Sequence, residues 1–212
     1  MSKRVLIISD SIFRQTGYST VAKNIIKNLD PSYKVAQLGL AHMPLDHAKL
    51  DINIDYYTPI LNHKNCCNDG NYIEYYNSDT KQLNHIEPNV AVNNVFKQHC
   101  KKGIPNQSDP YSFEGVYFVV QHFKPDVVIT INDVWGMYKI NYIKNRNNFK
   151  LISYLAVDSE CFPAQIKAGN QEPINTMDYI SKVDKLVVFT DWAKETINTT
   201  AQIVLNKTFD HI

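Results

Sequence analysis

Short unbroken apolar runs alternate along this chain with stretches whose apolar positions recur every three to four residues. Arg4-Val-Leu-Ile-Ile-Ser-Asp10 opens the pattern, and Val5–Ser9 reads as a buried strand. A polar turn centred on Gly17 follows. An amphipathic helix then starts near Tyr18, with Val21, Ile25, Ile26 and Leu29 on one face and Asp30-Pro31 as its stop. Lys34–Leu40 predicts a second strand and Ile52–Tyr57 a third. Beyond a poorly patterned middle, Tyr111–Phe123 predicts a helix, Val127–Ile131 a strand, Val134–Lys144 a helix and Lys150–Val157 a strand. Ile174–Val183 then predicts a helix and Lys185–Phe189 a strand. Thr190 or Asp191 caps a last helix over Trp192–Asn198. Continuous β-branched strands between helices predict an α/β fold, a single Rossmann-like, doubly wound parallel sheet spanning residues 1–212.

The middle, about residues 42–109, is polar and Asn-rich, with a turn signal at Asn68-Asp69-Gly70 and a short edge strand at Ile73–Tyr76. It reads as an irregular insertion that decorates the surface, with contact to an acceptor as the other reading.

Composition narrows the classes. Of 212 residues, 44% are hydrophobic and 20% charged, as in ordinary globular proteins. Lys and Arg total 22 against 21 Asp and Glu, so the net charge of +1 gives no electrostatic case for nucleic acid or an anionic membrane. The first apolar run is too short for a signal-peptide core or a membrane span, and the expectation is a cytoplasmic protein. Cys66, Cys67, Cys100 and Cys161 form no C-x-x-C pair. His63 and His99 lie beside them without finger-like spacing, so reduced thiols are expected and no metal site.

Parallel α/β sheets bind ligands beyond the carboxyl ends of their strands, and those positions supply the candidate site. They are Asp10 and Ser11 with the Gly17 loop; Asn132, Asp133 and Trp135; Asp158, Ser159 and Glu160; and Thr190, Asp191 and Trp192. Gly17 lacks a Cβ that would block an approaching ligand, and the following helix start offers N–H groups and a positive dipole end to an anion such as phosphate. Carboxylates and amides hydrogen-bond sugar hydroxyls, and aromatic faces cover a sugar's apolar face. Bland readings stand beside these. Asp133 and Asp191 are also placed to cap helices, and Trp135 to anchor a core. His122 and His99 fall on helices or their margins and read as structural. Asp158 precedes no evident helix and lies in a loop that Pro163 keeps extended, which favours a functional role.

The ordered set of pieces resembles the N-terminal half of a GT-B glycosyltransferase, similar to the family-4 type of bacteria, phages and large DNA viruses. The pieces are Ser9-Asp10 through Thr16-Gly-Tyr-Ser-Thr20; Ser108-Asp-Pro-Tyr111; Lys124-Pro-Asp-Val-Val-Ile-Thr-Ile-Asn-Asp133 with Trp135; Tyr154-Leu-Ala-Val-Asp-Ser-Glu160; and Val187-Val-Phe-Thr-Asp-Trp192. The resemblance implies a nucleotide-sugar donor, a glycan or other hydroxyl acceptor, retention of configuration, and no metal or other cofactor. It implies that Gly17, Tyr18 and Ser19 approach the donor phosphates and transferred sugar, and that Asp158 acts beside the reacting sugar. Asp10, Asn132, Asp133, Trp135 and Glu160 would line the acceptor side. The family's donor-side glutamate pair and its Arg/Lys pair are missing from these residues. The expectation is therefore an acceptor-binding half that needs a C-terminal donor-binding domain. A non-catalytic binding or assembly module on the same fold is the alternative.

Overall fold

Val5, Leu6, Ile7 and Ile8 are all buried, so both faces of the first strand are covered and the run carries no polar alternation. The computed structural model describes residues 2–40, 52–61, 73–86, 113–133, 140, 148–157, 163–166 and 174–212. Its fold is mixed α/β. Eight strands belong to one mostly parallel sheet flanked by helices, a Rossmann-like arrangement that agrees with the expectation from the sequence. The chain divides into two compact units, Met1–Asp126 and Val127–Ile212.

In the first unit, β1 (Arg4–Asp10) runs parallel to β2 (Lys34–Leu40) in unbroken register from Arg4 opposite Lys34 to Asp10 opposite Leu40. Between them lies α1 (Gly17–Asn28), one residue earlier than the pattern predicts. Thr16 is its N-cap, and its side chain accepts the Ser19 N–H. β2 pairs in parallel with β3 (Asp55–Leu61), with Leu38 opposite Tyr57. β3 pairs antiparallel with β4 (Ile73–Asn77), and β4 antiparallel with β5 (Gln82–Ile86). The described part of the segment read as irregular is therefore a meander on the parallel strands. Its tie is Asp55, whose buried carboxylate accepts from the Ser78 N–H and hydroxyl, both at 2.8 Å, with Lys34 Nζ at 3.3 Å. α2 (Phe113–Phe123) packs on β1, β2 and β3 through Val116, Val119, Val120 and Phe123. The Asp126 carboxylate then accepts the Arg4 N–H at 2.8 Å.

In the second unit, β6 (Val127–Ile131), β7 (Lys150–Leu155) and β10 (Lys185–Val188) are parallel, in the order β10-β7-β6. β8 (Gln165–Ile166) and β9 (Ile174–Asn175) form a small antiparallel ribbon. The expected helix from Ile174 begins at Thr176 as α3 (Thr176–Lys182), because the Asn175 side chain caps it by accepting the Asp178 N–H. α4 (Asp191–Leu205) runs seven residues past the expected stop at Asn198 and ends at Asn206 in the left-handed region, φ 53°. Ile197 and Ala201 carry its buried face through the Asn-Thr-Thr stretch. The Thr196 and Thr200 hydroxyls there donate to carbonyls one turn back. The predicted helix over Val134–Lys144, apart from Ile140, lies outside the described residues, as does the Asn68-Asp69-Gly70 turn.

Candidate functional site

The loop joining β1 to α1 is held at both ends and in the middle. Asp10 is 7% exposed, and its Oδ2 accepts from Thr16 Oγ1 at 2.7 Å, with the Arg14 guanidinium 3.9 Å away. Thr16 thus links the end of β1 to the first turn of α1. Gln37, fully buried on β2, donates through Nε2 to Ser9 Oγ at 2.8 Å and to the Asp10 carbonyl at 3.0 Å. Its Oε1 accepts the Ile12 N–H at 3.2 Å. Tyr56 of β3 passes over Gly39 and donates its hydroxyl proton to Ser11 Oγ at 2.6 Å. That oxygen also accepts the Phe13 N–H at 3.1 Å. Burial pushes the Tyr56 hydroxyl far above the usual tyrosine range, so it stays a donor at every physiological pH. A Cβ on Gly39 would overlap the Tyr56 hydroxyl and ring, so β2 carries glycine there to let the tyrosine cross.

Ser19 is buried in the same network: its hydroxyl donates to the Arg14 carbonyl at 2.8 Å and its N–H to Thr16 Oγ1 at 3.1 Å. Gly17 is different. It is exposed at the first position of α1, and an added Cβ there would meet no protein atom within 4 Å. Its φ is not in the left-handed region either. Neither packing nor backbone conformation calls for glycine at this place.

The second unit presents its own strand ends. Asn132 follows β6 and is 3% exposed. Its Oδ1 accepts the Asp133 N–H at 2.8 Å, and its own N–H donates to the Tyr154 carbonyl at 3.4 Å. Nδ2 is buried with no hydrogen-bond partner. Asp133 is half-buried. Past β10, Thr190 caps α4 by accepting the Ala193 N–H, which places Asp191 in the first turn rather than at the cap. Phe189 and Trp192 are exposed, and the Phe189 ring meets Tyr154 edge-on at 4.8 Å.

The sequence-derived candidates therefore fall into groups. Asp10, Gly17, Tyr18 and Ser19 share the first loop, and Asn132 and Asp133 share the end of β6. Trp135, Asp158, Ser159 and Glu160 lie outside the described residues, as do all four cysteines, His63 and His99. His122, read as structural, bonds through Nδ1 to the Tyr57 hydroxyl at 2.9 Å. No cluster of three metal-ligating side chains occurs among the described residues. No helix among them is long and apolar enough to cross a membrane. Gln37 and Tyr56 are not among the sequence-derived candidates. Their signals were a glutamine and a glycine inside the otherwise apolar run Val35-Ala-Gln-Leu-Gly-Leu40. No protein-family model matches the chain, and no curated protein matches it in sequence.

Proposed function

We propose that this chain is the acceptor-binding half of a retaining glycosyltransferase of GT-B type, moving a sugar from a nucleotide-sugar donor to a glycan or other hydroxyl acceptor. The observation that carries the reading is Gly17. A glycine demanded by neither packing nor backbone stands at the first position of α1, beyond the carboxyl end of a parallel strand. Close approach of a ligand to the backbone is a physical reason for glycine there. Gly17 and Tyr18 would turn the α1 N-terminus toward the donor phosphates, and Ser19 and Asp10 would hold the loop that presents them. Asn132 and Asp133, with Trp135 and Glu160, would face the acceptor, and Asp158 the reacting sugar. Departure of the nucleotide would be helped by helix N-termini and cationic groups rather than by a metal or another cofactor. A cytoplasmic site of action belongs to the same reading.

The test is turnover of a panel of nucleotide sugars by the full-length protein and by its Gly17→Ala variant. One donor is expected to be consumed, with kcat/KM for it falling at least about tenfold in the variant, the order expected when a methyl group displaces a phosphate from close backbone contact. Failure of every donor to turn over or to bind would favour the non-catalytic module.

A further inference from the structure

We infer that the Asn132 carboxamide is a ligand-reading donor, with Nδ2 placed to hydrogen-bond an uncharged oxygen of a bound sugar or similar hydroxyl compound. The naming of a sugar rests on the glycosyltransferase reading; the donor role itself rests on the geometry at the end of β6. The Asp133 N–H bonded to Oδ1 at 2.8 Å fixes which end of the carboxamide is oxygen and which is nitrogen. It also stops the group from turning to seek another partner. Nδ2 is left desolvated and unpaired in a residue that is 3% exposed. Native structures rarely tolerate a buried donor of this kind, because its lost hydration is not returned.

Two residues earlier on the same strand, the buried Thr130 hydroxyl donates to Ser153 Oγ at 3.0 Å, and Ser153 Oγ lies 2.8 Å from the Tyr179 hydroxyl. The buried hydroxyls beneath are paired; the amide at the strand's carboxyl end, where parallel sheets bind ligands, is not. An N–H can meet only an acceptor atom. A neutral amide brings no charge to offset an anion, so a hydroxyl, ring or carbonyl oxygen is the acceptor it fits.

The test uses proton–nitrogen correlation NMR on the whole chain, with the Asn132 side-chain pair identified by its loss in Asn132→Ser. Serine keeps an oxygen within reach of the Asp133 N–H while removing the orphaned amide. Glucose, N-acetylglucosamine and maltose are the neutral probes, and inorganic phosphate is the anionic one. The neutral sugars are expected to shift the Asn132 pair and phosphate to leave it in place. Asn132→Ser is expected to keep or raise Tm while weakening sugar binding about fivefold or more, the worth of one hydrogen bond. A lower Tm with sugar binding unchanged would show a packing role and overturn the inference. So would a lasting contact between the Nδ2 protons and a bound water, or no response of the pair to any neutral probe. Response of Asn132 to sugars, with no nucleotide sugar of the panel bound or turned over by the full-length protein, would remove the glycosyltransferase reading and leave this one. The reverse result would remove this inference alone.

Discussion

Two glycines in the same unit do opposite work, and substitution separates them. Gly39 is fixed by a neighbour: a Cβ would strike the Tyr56 ring on its way to Ser11. Gly39→Ala is therefore expected to destabilise the fold by about 1–3 kcal/mol, the usual cost of overpacking a tight core. Urea unfolding would measure it. In a Tyr56→Ala background the same change should cost far less, and an undiminished cost would show that the crossing ring is not the cause. Gly17 meets open space in an ordinary backbone region at a helix start. Gly17→Ala is expected to leave stability unchanged or raise it by about 0.4–1 kcal/mol, through lost freedom in the unfolded chain. A clear drop in Tm would mean that Gly17 serves the fold, and the case for ligand approach would lapse. The sequence displayed Gly17 because it follows an obvious strand and precedes an obvious helix. It displayed Gly39 and Gln37 only as blemishes in an apolar run, because what they meet lies between 17 and 28 residues away.

Among the elements, α2 (Phe113–Phe123) carries the clearest dependence on conditions. Its His122 hydrogen-bonds through Nδ1 with the Tyr57 hydroxyl, 2.9 Å away, and the ring lies 5.0 Å from Tyr75. Burial holds the His122 pKa below its ordinary 6.5, with Arg4 of β1 adding to the effect and Asp55 of β3 opposing it. Burial also keeps the Tyr57 hydroxyl protonated. The unfolded chain thus binds the His122 proton more readily than the folded one. The stability contributed by the neutral ring is complete above about pH 6.5 and is lost as pH falls from there through the lower folded value. His122→Gln keeps an acceptor for Tyr57 and removes the titration. Its Tm is expected to fall less than that of the wild type between pH 7.5 and pH 5, and parallel curves would exclude His122 as the cause. The pattern of α2 was legible because Val116, Val119, Val120 and Phe123 repeat at helical spacing. β5 was not: Leu83 and Ile86 are its only apolar residues, it lies at an edge, and pairing to β4 holds it. Asn77 makes the turn between them, its Oδ1 accepting the Asp79 and Thr80 N–H groups, with Lys81 at φ 56°.

At the scale of the whole molecule, the α/β class was readable because strands covered on both faces are apolar nearly throughout, as Val5–Ile8 is and Val128–Ile131 is apart from Thr130. The strand-end rule picks out Gly17 and Asn132 as candidates, whereas the bonds that lock each loop depend on pairings that local sequence does not encode. Charge is the remaining whole-molecule property, and it separates function classes directly. With 22 basic against 21 acidic side chains, the chain has no surplus with which to displace counterions from a nucleic acid. Non-specific DNA binders reach dissociation constants of roughly 10⁻⁴–10⁻⁶ M at physiological salt by neutralising several phosphates at once. This chain is expected to bind random-sequence duplex DNA more weakly than about 10⁻⁴ M at 0.15 M salt, with little change on dilution to 0.05 M. Fluorescence anisotropy of a labelled duplex at the two salt concentrations measures both quantities. Micromolar binding that tightens steeply as salt is lowered would reveal a basic face strong enough to act despite the balanced total, and the acceptor would then have to be sought among nucleic acids rather than neutral glycans.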